Sequence, residues 1–274
     1  MKFKFNDRKR NLPIPEGFYY IDQDNYYIAN LNKPDVNNPE KYLYSDSATS
    51  CIIVVVEGLD ADSNPIVALT HLSRTERFET FFEIVNKTFV GSVNIFAQGA
   101  NPSNAEASQT NSETLLAWIE KNRTSTVSAN ATFSIENVAL ALGLGNPQED
   151  NRGTYGIDLI TMTVSNDSFD LTLSDRDPTG GLQILYCVFG LQVTPPVKLH
   201  HRGTPFTIEE IKLLVAEANL LTNNWVSFLY KTEAEILQLS STPTCEVPWF
   251  YAEIRSAALY VKNHLAGQTP KIGT

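Results

Sequence analysis

One unbroken apolar run constrains the fold most strongly. Residues 51–56 read CIIVVV, and five of these residues in succession are β-branched. Such side chains favour strands, and a strand without a polar face is normally buried on both sides. The chain must therefore cover both faces of the sheet that contains this strand.

A second strand follows the run after a short, turn-rich connection at residues 60–65. Residues 66–71 read IVALTH, and the chain then becomes polar. Two strands joined by a short turn are most simply antiparallel neighbours. Cys51, at the start of the first strand, should then lie near His71, at the end of the second.

A helix is predicted directly after His71. Ser73 and Glu76 have the spacing of a capping box, and apolar residues follow at i, i+3, i+4 and i+7, namely Phe78, Phe81, Phe82 and Val85. His71 would stand at a strand-to-helix corner. We expect such a corner to expose the imidazole at the edge of the sheet, where it can reach a substrate.

A thiol and an imidazole within reach of each other form a nucleophile and its base. Two other interpretations stay open on spacing alone. A cysteine beside an apolar strand commonly serves as a small core residue, as we expect for Cys187 in the apolar run at 182–193. A lone histidine such as His71 is commonly a hydrogen-bonded surface residue.

The order of several short pieces adds information about the site. Ser45 lies six residues before the cysteine of a Ser50-Cys51 pair, an apolar strand follows, His71 ends the next strand, and residues 95–101 read IFAQGAN. In order and approximate length these pieces resemble the CheD-type chemoreceptor glutamine deamidases. That family is grouped by fold with the catalytic domain of the cytotoxic necrotizing factors.

The resemblance covers residues 40–173, and two features depart from the family pattern. The glycine run before the cysteine is replaced by Asp-Ser-Ala-Thr at 46–49, and the family's IFGGA has become IFAQGAN. The resemblance implies an α/β fold with a mixed, sandwich-like β-sheet core and outer helices, and the residues beyond it predict a C-terminal helical segment. We predict a catalytic domain at residues 1–194 and a three-helix appendage at 195–274.

The resemblance also implies the chemistry of a protein-glutamine deamidase that needs no cofactor. Cys51 would attack a glutamine carboxamide, His71 would serve as base, and Ser45 would orient the imidazole. Gln98 and Asn101 would contact the substrate, although an Asx turn is an alternative role for Asn101. An imidazolium beside Cys51 would lower the pKa of its thiol.

Two other functions remain compatible with the sequence. A cysteine peptidase or a transglutaminase would use the same Cys51–His71 pair, and a non-catalytic interaction protein could keep the same fold. The product formed, or the effect of replacing Cys51, separates these functions. The role of the predicted C-terminal helices, whether covering a sheet face or recognising a target, is also open.

Composition limits the partners. With 21 Lys and Arg against 31 Asp and Glu, the formal charge of −10 disfavours nucleic acids and anionic membranes and is more compatible with a neutral or basic target. The resemblance implies that this partner is a protein bearing a reactive glutamine. Three cysteines argue against a disulfide framework, and no apolar stretch reaches the length of a membrane span or a signal peptide. We expect a cytoplasmic protein, or one that enters a host cell without a cleaved signal, and its oligomeric state stays open.

Further segments carry more local predictions. Residues 101–112 lack periodicity and are predicted as a loop, with Thr110 and Glu113 opening a helix. The run at 182–193 is predicted as a central strand, and residues 169–173 as an alternating one.

Three helices should follow, beginning with the Thr207 capping box and continuing at 225–239 and 248–265. His200, His201 and Cys245 lack the spacing of metal ligands, so no metal is assigned.

Overall fold

The computed structural model describes residues 2–5, 11–34, 39–124, 133–145 and 152–266, and it has a mixed α/β fold, as expected from the sequence. The strands are β1 Lys2–Lys4, β2 Asn11–Leu12, β3 Phe18–Tyr20, β4 Asn25–Asn30, β5 Tyr42–Ser45, β6 Ile52–Leu59, β7 Pro65–Leu72, β8 Val90–Gly99, β9 Phe133–Leu142, β10 Tyr155–Asp158, β11 Thr163–Ser165, β12 Ser168–Phe169 and β13 His200–His201. The helices are α1 Thr75–Thr88, α2 Glu106–Thr124, α3 Leu173–Arg176, α4 Leu182–Phe189, α5 Ile208–Ala218, α6 Glu233–Leu237 and α7 Phe250–Ala266, with a 3-10 helix at Trp225–Tyr230.

The apolar run forms the middle of a six-stranded sheet with the order β13-β4-β7-β6-β8-β9. Strand β6 pairs antiparallel with both β7 and β8. Successive side chains of a strand point to opposite faces, so Val54 packs under the helices whereas Ile53 and Val55 pack on the other side. Burial on both faces, predicted from the β-branched run, is confirmed.

Two different layers cover this sheet. On one face, α1 and α2 contribute Phe78, Phe81 and Leu115 to the core. On the other face lies a five-stranded sheet with the order β1-β11-β10-β5-β3, which contributes Leu43 and Ile157. The core is therefore sandwich-like with helices outside, as the sequence predicts.

Helix α1 forms as predicted but begins differently. Its apolar stripe is buried, yet the N-cap residue is Arg74 and no side chain caps the helix. The predicted cap, Ser73, instead donates its hydroxyl to Asp24 Oδ2 at 2.9 Å and its backbone N–H to Asp24 Oδ1 at 3.1 Å. The prediction of a capping box at Ser73 is wrong because a buried carboxylate takes its hydroxyl.

Helix α2 begins at Glu106, before the predicted capping box at Thr110. The segment predicted as a loop is therefore helical over more than half its length. A turn in which the Ala105 N–H donates to the Pro102 carbonyl precedes the helix. The residues that follow include good helix formers. The loop prediction fails because it relies on the lack of an apolar period and gives this helix propensity too little weight. Asn111 consequently sits on a buried helix face.

The apolar run at 182–193 is wrong as a strand prediction, because residues 182–189 form α4. A short run that is apolar throughout fits a buried strand and a buried helix equally well. The surroundings decide here, since α4 packs among α5 and α7 in one apolar cluster. Cys187 is buried in that cluster, as expected of a core cysteine.

Another strand prediction fails at residues 169–173. Strand β12 ends at Phe169, and Thr172 caps α3 through a capping box with Asp175. The apolar alternation in this segment is too short to compete with that local hydrogen-bonding pair. The chain therefore turns away from the sheet after two paired residues.

Only some of the C-terminal helices form where the sequence predicts them. Thr207 caps α5 with Glu210, and α7 forms where a helix is predicted. The predicted helix at 225–239 is instead divided into the 3-10 helix and α6, because Lys231 is extended and Thr232 caps α6. The apolar cluster of this region begins at Leu182; the division of the chain at residue 194 stays a prediction.

The buried stripe of α1 gives a stability prediction. Phe81 is fully buried, so Phe81→Ala should lower the free energy of unfolding by about 3–5 kcal/mol. Leu116, on α2, is 45% exposed, and Leu116→Ala should change stability by less than about 0.5 kcal/mol. Urea unfolding of both variants measures the difference. Equal effects would contradict the assigned burial.

Candidate active site

His71 lies between the two sheets. Ile53, in β6, pairs with His71 on one side and with Gln98 on the other, so the three side chains form a row across β7, β6 and β8. The imidazole is only 1% exposed. The expectation of an exposed histidine at a corner is wrong, because β5 of the second sheet lies over this end of β7.

Ser45 reaches His71 from the opposite sheet. It ends β5, and its Oγ lies 2.9 Å from His71 Nδ1. In the tautomer in which Nδ1–H donates to Ser45, Nε2 carries a lone pair. Nε2 is buried and has no hydrogen-bond partner in the part of the chain that the structure describes. A buried polar atom without a partner is unusual and calls for an explanation.

Cys51 lies one residue before β6, on the face that also carries Ile53. Since Ile53 is opposite His71, Cys51 is the diagonal neighbour of His71 across the ladder. The Cys51 carbonyl accepts the N–H of Ala100 at 2.8 Å. Gly99, with a φ of 138°, permits this close approach, because a Cβ there would collide with the Cys51 carbonyl.

A cavity of about 570 Å³ borders Cys51. This volume is within the usual range for ligand pockets. Its inner wall includes Ser50 and Arg74, and its outer wall comes from the C-terminal part of the chain, with Ile184, Cys187, Val188, Trp225, Leu239, Ser240, Ser241, Glu246, Phe250 and Ile254. Ser45 and His71 do not border the cavity; Cys51 is 6% exposed.

Burial controls the protonation of the pair. It raises the pKa of the Cys51 thiol above its ordinary value, with a further rise from Asp24 and Glu246 that Arg74 opposes. Burial also lowers the pKa of His71 to about 4. The expectation of a lowered thiol pKa is therefore wrong, since desolvation outweighs the effect of nearby charges. Near neutral pH the pair consists of a thiol and a neutral imidazole.

Gln98 and Asn101 are fully buried and hold backbone groups. Gln98 Nε2 donates to the Thr154 carbonyl at 2.6 Å, and Asn101 Oδ1 accepts the Gly145 N–H at 3.1 Å. Neither residue borders the cavity next to Cys51. The structure thus gives both side chains a role in fixing the end of β8, and their contact with a substrate stays a prediction.

The roles of two polar residues near the site are not predicted from the sequence. Asn111 donates to the carbonyls of Ser50 and Ser73, but the segment that contains it is assigned to a loop from the sequence. Asp46, directly after Ser45, forms a buried ion pair with Arg176, with 2.8 Å between Oδ2 and Nη2. Pairings so distant along the chain leave no local pattern.

No protein-family model matches the chain, and no curated protein matches it. Within the described ranges, no group of three or more His, Cys, Asp or Glu side chains could hold a metal ion. Among the same residues, no helix combines the length and apolar character needed to span a membrane. Function is therefore inferred from the geometry and chemistry of the site.

The charges near Cys51 predict opposite changes in its reactivity. Glu246→Gln removes a charge that raises the thiol pKa, so alkylation by iodoacetamide at pH 8 should accelerate roughly two- to fivefold. Arg74→Gln should slow it by a similar factor, and Arg74→Lys should preserve the rate. Mass spectrometry of the Cys51 peptide measures alkylation. A change in the same direction for both neutral variants would indicate loosened packing instead.

The lowered pKa of His71 predicts a loss of stability in acid. The unfolded state binds a proton near pH 6.5, but the folded state does so only near pH 4, so this stability is present above pH 6.5 and is lost as the pH falls towards 4. The change should be about 3 kcal/mol between pH 7 and pH 4. His71→Asn, which can still donate to Ser45, should lack this component in urea unfolding series. If the free energy of unfolding changed with pH by the same amount in the wild type and in His71→Asn, the lowered pKa of His71 would be refuted.

Proposed function

We propose that the chain is a protein-glutamine deamidase that uses Cys51 as nucleophile, His71 as base and Ser45 as the residue that orients the imidazole. The observation that carries the proposal is the 2.9 Å contact between Ser45 Oγ and His71 Nδ1, which leaves Nε2, on the face that carries Cys51, without a partner among the residues that the structure describes. Nucleophile, base and orienting group are the parts of a thiol acyl-transfer site. The resemblance to CheD-type deamidases supports a glutamine carboxamide as substrate.

The first half of the reaction forms a thioester. Sulfur bonds to the carboxamide carbon while His71 Nε2 takes the thiol proton, a route suited to a neutral thiol and a neutral imidazole. The carbon–nitrogen bond then breaks, and the imidazolium returns the proton to the leaving nitrogen as ammonia departs. Ser45 Oγ accepts the Nδ1–H throughout and thereby keeps Nε2 free.

The second half consumes water. His71 Nε2 takes a proton from the attacking water, the carbon–sulfur bond breaks, and the proton passes to the Cys51 thiolate. The products are glutamate and ammonia, and the resting enzyme is regained. No cofactor takes part in either half.

The cavity supplies a route for the glutamine side chain to the thiol. Its polar groups include Arg74, Ser240 and Ser241, and its outer wall is built by the C-terminal helices together with the connection between α6 and α7. These helices would therefore contribute to the choice of target. The net charge of −10 favours a neutral or basic protein around the reactive glutamine.

A second candidate function is a non-catalytic interaction protein with this fold. The 6% exposure of Cys51 and its raised thiol pKa favour this alternative, since both are typical of a core cysteine. In that case the unpartnered His71 Nε2 would be a tolerated defect of packing. The two functions differ in whether Cys51 is needed for a chemical product.

A proteome incubated with the protein tests the proposal. The wild type should convert particular glutamines to glutamates and release ammonia, whereas Cys51→Ser should produce neither change. Cys245→Ser, which alters a cysteine that does not border the cavity, should act as the wild type. Peptide mass spectrometry and an ammonia assay measure both products.

Other outcomes identify the alternatives. Cleaved backbones would indicate a peptidase, and amines attached to glutamine would indicate a transglutaminase. If wild type and Cys51→Ser yield the same proteome while a biological effect persists, the non-catalytic function replaces the proposed one.

A further inference from the structure

Asn111 joins the two segments that carry the proposed nucleophile and base. It lies on α2 and is 2% exposed. Its Nδ2 donates to the carbonyl of Ser50 at 2.9 Å and to the carbonyl of Ser73 at 3.0 Å. An amide nitrogen has two hydrogens, so these two bonds use its whole donor capacity.

The position of this bridge is the end of the β6–β7 ladder. The last backbone pair is Ile52 with Leu72, and the next opposed positions are Cys51 and Ser73. Asn111 therefore links the two segments by hydrogen bonds at the point where the backbone pairing of the strands ends. The Ser50 carbonyl belongs to the peptide group that precedes Cys51, and Ser73 follows His71 by two residues.

The opposite side of the cysteine segment is held by backbone bonds. Ala100 N–H donates to the Cys51 carbonyl, and Asn101 N–H donates to the Thr49 carbonyl, each at 2.8 Å. These bonds fix the segment to β8, which does not carry the base. Asn111 is the group that fixes it towards the strand of His71.

We propose that Asn111 is a positioning residue that sets the distance between Cys51 Sγ and His71 Nε2. This inference rests on the proposed function, because it assigns a purpose to the alignment of that pair. Asn111 borders neither the cavity nor the imidazole and acts through the backbone. Small displacements of a nucleophile from its base reduce rates strongly.

A double-mutant cycle distinguishes positioning from plain structural support. Asn111→Asp keeps the shape of the side chain but removes both donors, and His71→Asn removes the base but keeps a donor to Ser45. The probe is iodoacetamide, a small carboxamide, and the measurement is the alkylation rate of Cys51 from pH 6 to pH 8. Ser108→Ala is the matched control, because it removes from the same helix a buried hydroxyl that has no hydrogen-bond partner in the described ranges.

We expect His71→Asn and Asn111→Asp each to slow the alkylation of Cys51 by about tenfold near pH 7. In the His71→Asn background, Asn111→Asp should keep at most the roughly two- to fivefold slowing that an added carboxylate near the thiol causes, and Asn111→Ala, which adds no charge, should have less than about a twofold effect, because no base remains to be aligned. Ser108→Ala should leave the rate unchanged. Thermal melts identify variants that do not fold, and Asn111→Ala, which buries no carboxylate, replaces Asn111→Asp in that case.

The outcomes separate the two hypotheses. Equal slowing by Asn111→Asp in both backgrounds would mean that Asn111 only supports the fold, and the positioning role would be rejected. If His71→Asn slows alkylation but Asn111→Asp does not, the Cys51–His71 pair stands and only the role of Asn111 is lost. If His71→Asn has no effect, His71 does not serve Cys51, and both the proposed function and this inference fail.

Discussion

The buried ion pair of Asp24 and Arg77 is the interaction on which the arrangement around His71 depends. Arg77 Nε lies 3.3 Å from Asp24 Oδ2, and both side chains are inaccessible to solvent. Asp24 also accepts two hydrogen bonds from Ser73 and donates its backbone N–H to the His71 carbonyl, while Arg77 donates to the Tyr186 hydroxyl. One pair thus joins the end of β7, α1 and α4. Removing either partner would leave an unpaired buried charge, at a cost of about 3–5 kcal/mol.

A second buried pair holds the other half of the site. Asp46 follows Ser45 directly and is bound by Arg176, which also packs over the ring of Trp249, the residue directly before α7. The contact between Ser45 and His71 crosses from one sheet to the other, so its length depends on how the sheets are held. An ion pair anchors each side of that contact. Buried pairs contribute little net stability, but a hydrogen-bonded pair restricts geometry strongly.

The sequence predicts those parts of the fold whose signals are local. The β-branched run and the strand before His71 are marked by β-branched composition and by the turn between them, and α1 by the helical period of its apolar stripe. The contact of Ser45 with His71 is expected from the resemblance. The assignment of α4 fails because an apolar run of that length has no period that separates helix from strand. The burial of His71 and the bridge by Asn111 depend on partners far along the chain. For the same reason the pKa of Cys51 could not be predicted, since the thiol is buried in the cluster between the two sheets, which includes Tyr155 and Ile157 more than a hundred residues away.

The origin of the cavity walls has a consequence for the newly made protein. The inner wall is complete once residues up to Ala107 have been synthesised, whereas the outer wall needs residues as late as Ile254. A nascent chain that lacks α7 has the cysteine segment but not its cover. Oxidants and other electrophiles would then have access to the side of Cys51 that borders the cavity in the complete chain. Chemical damage to Cys51 would therefore depend on the age of the molecule, with the youngest chains the most vulnerable.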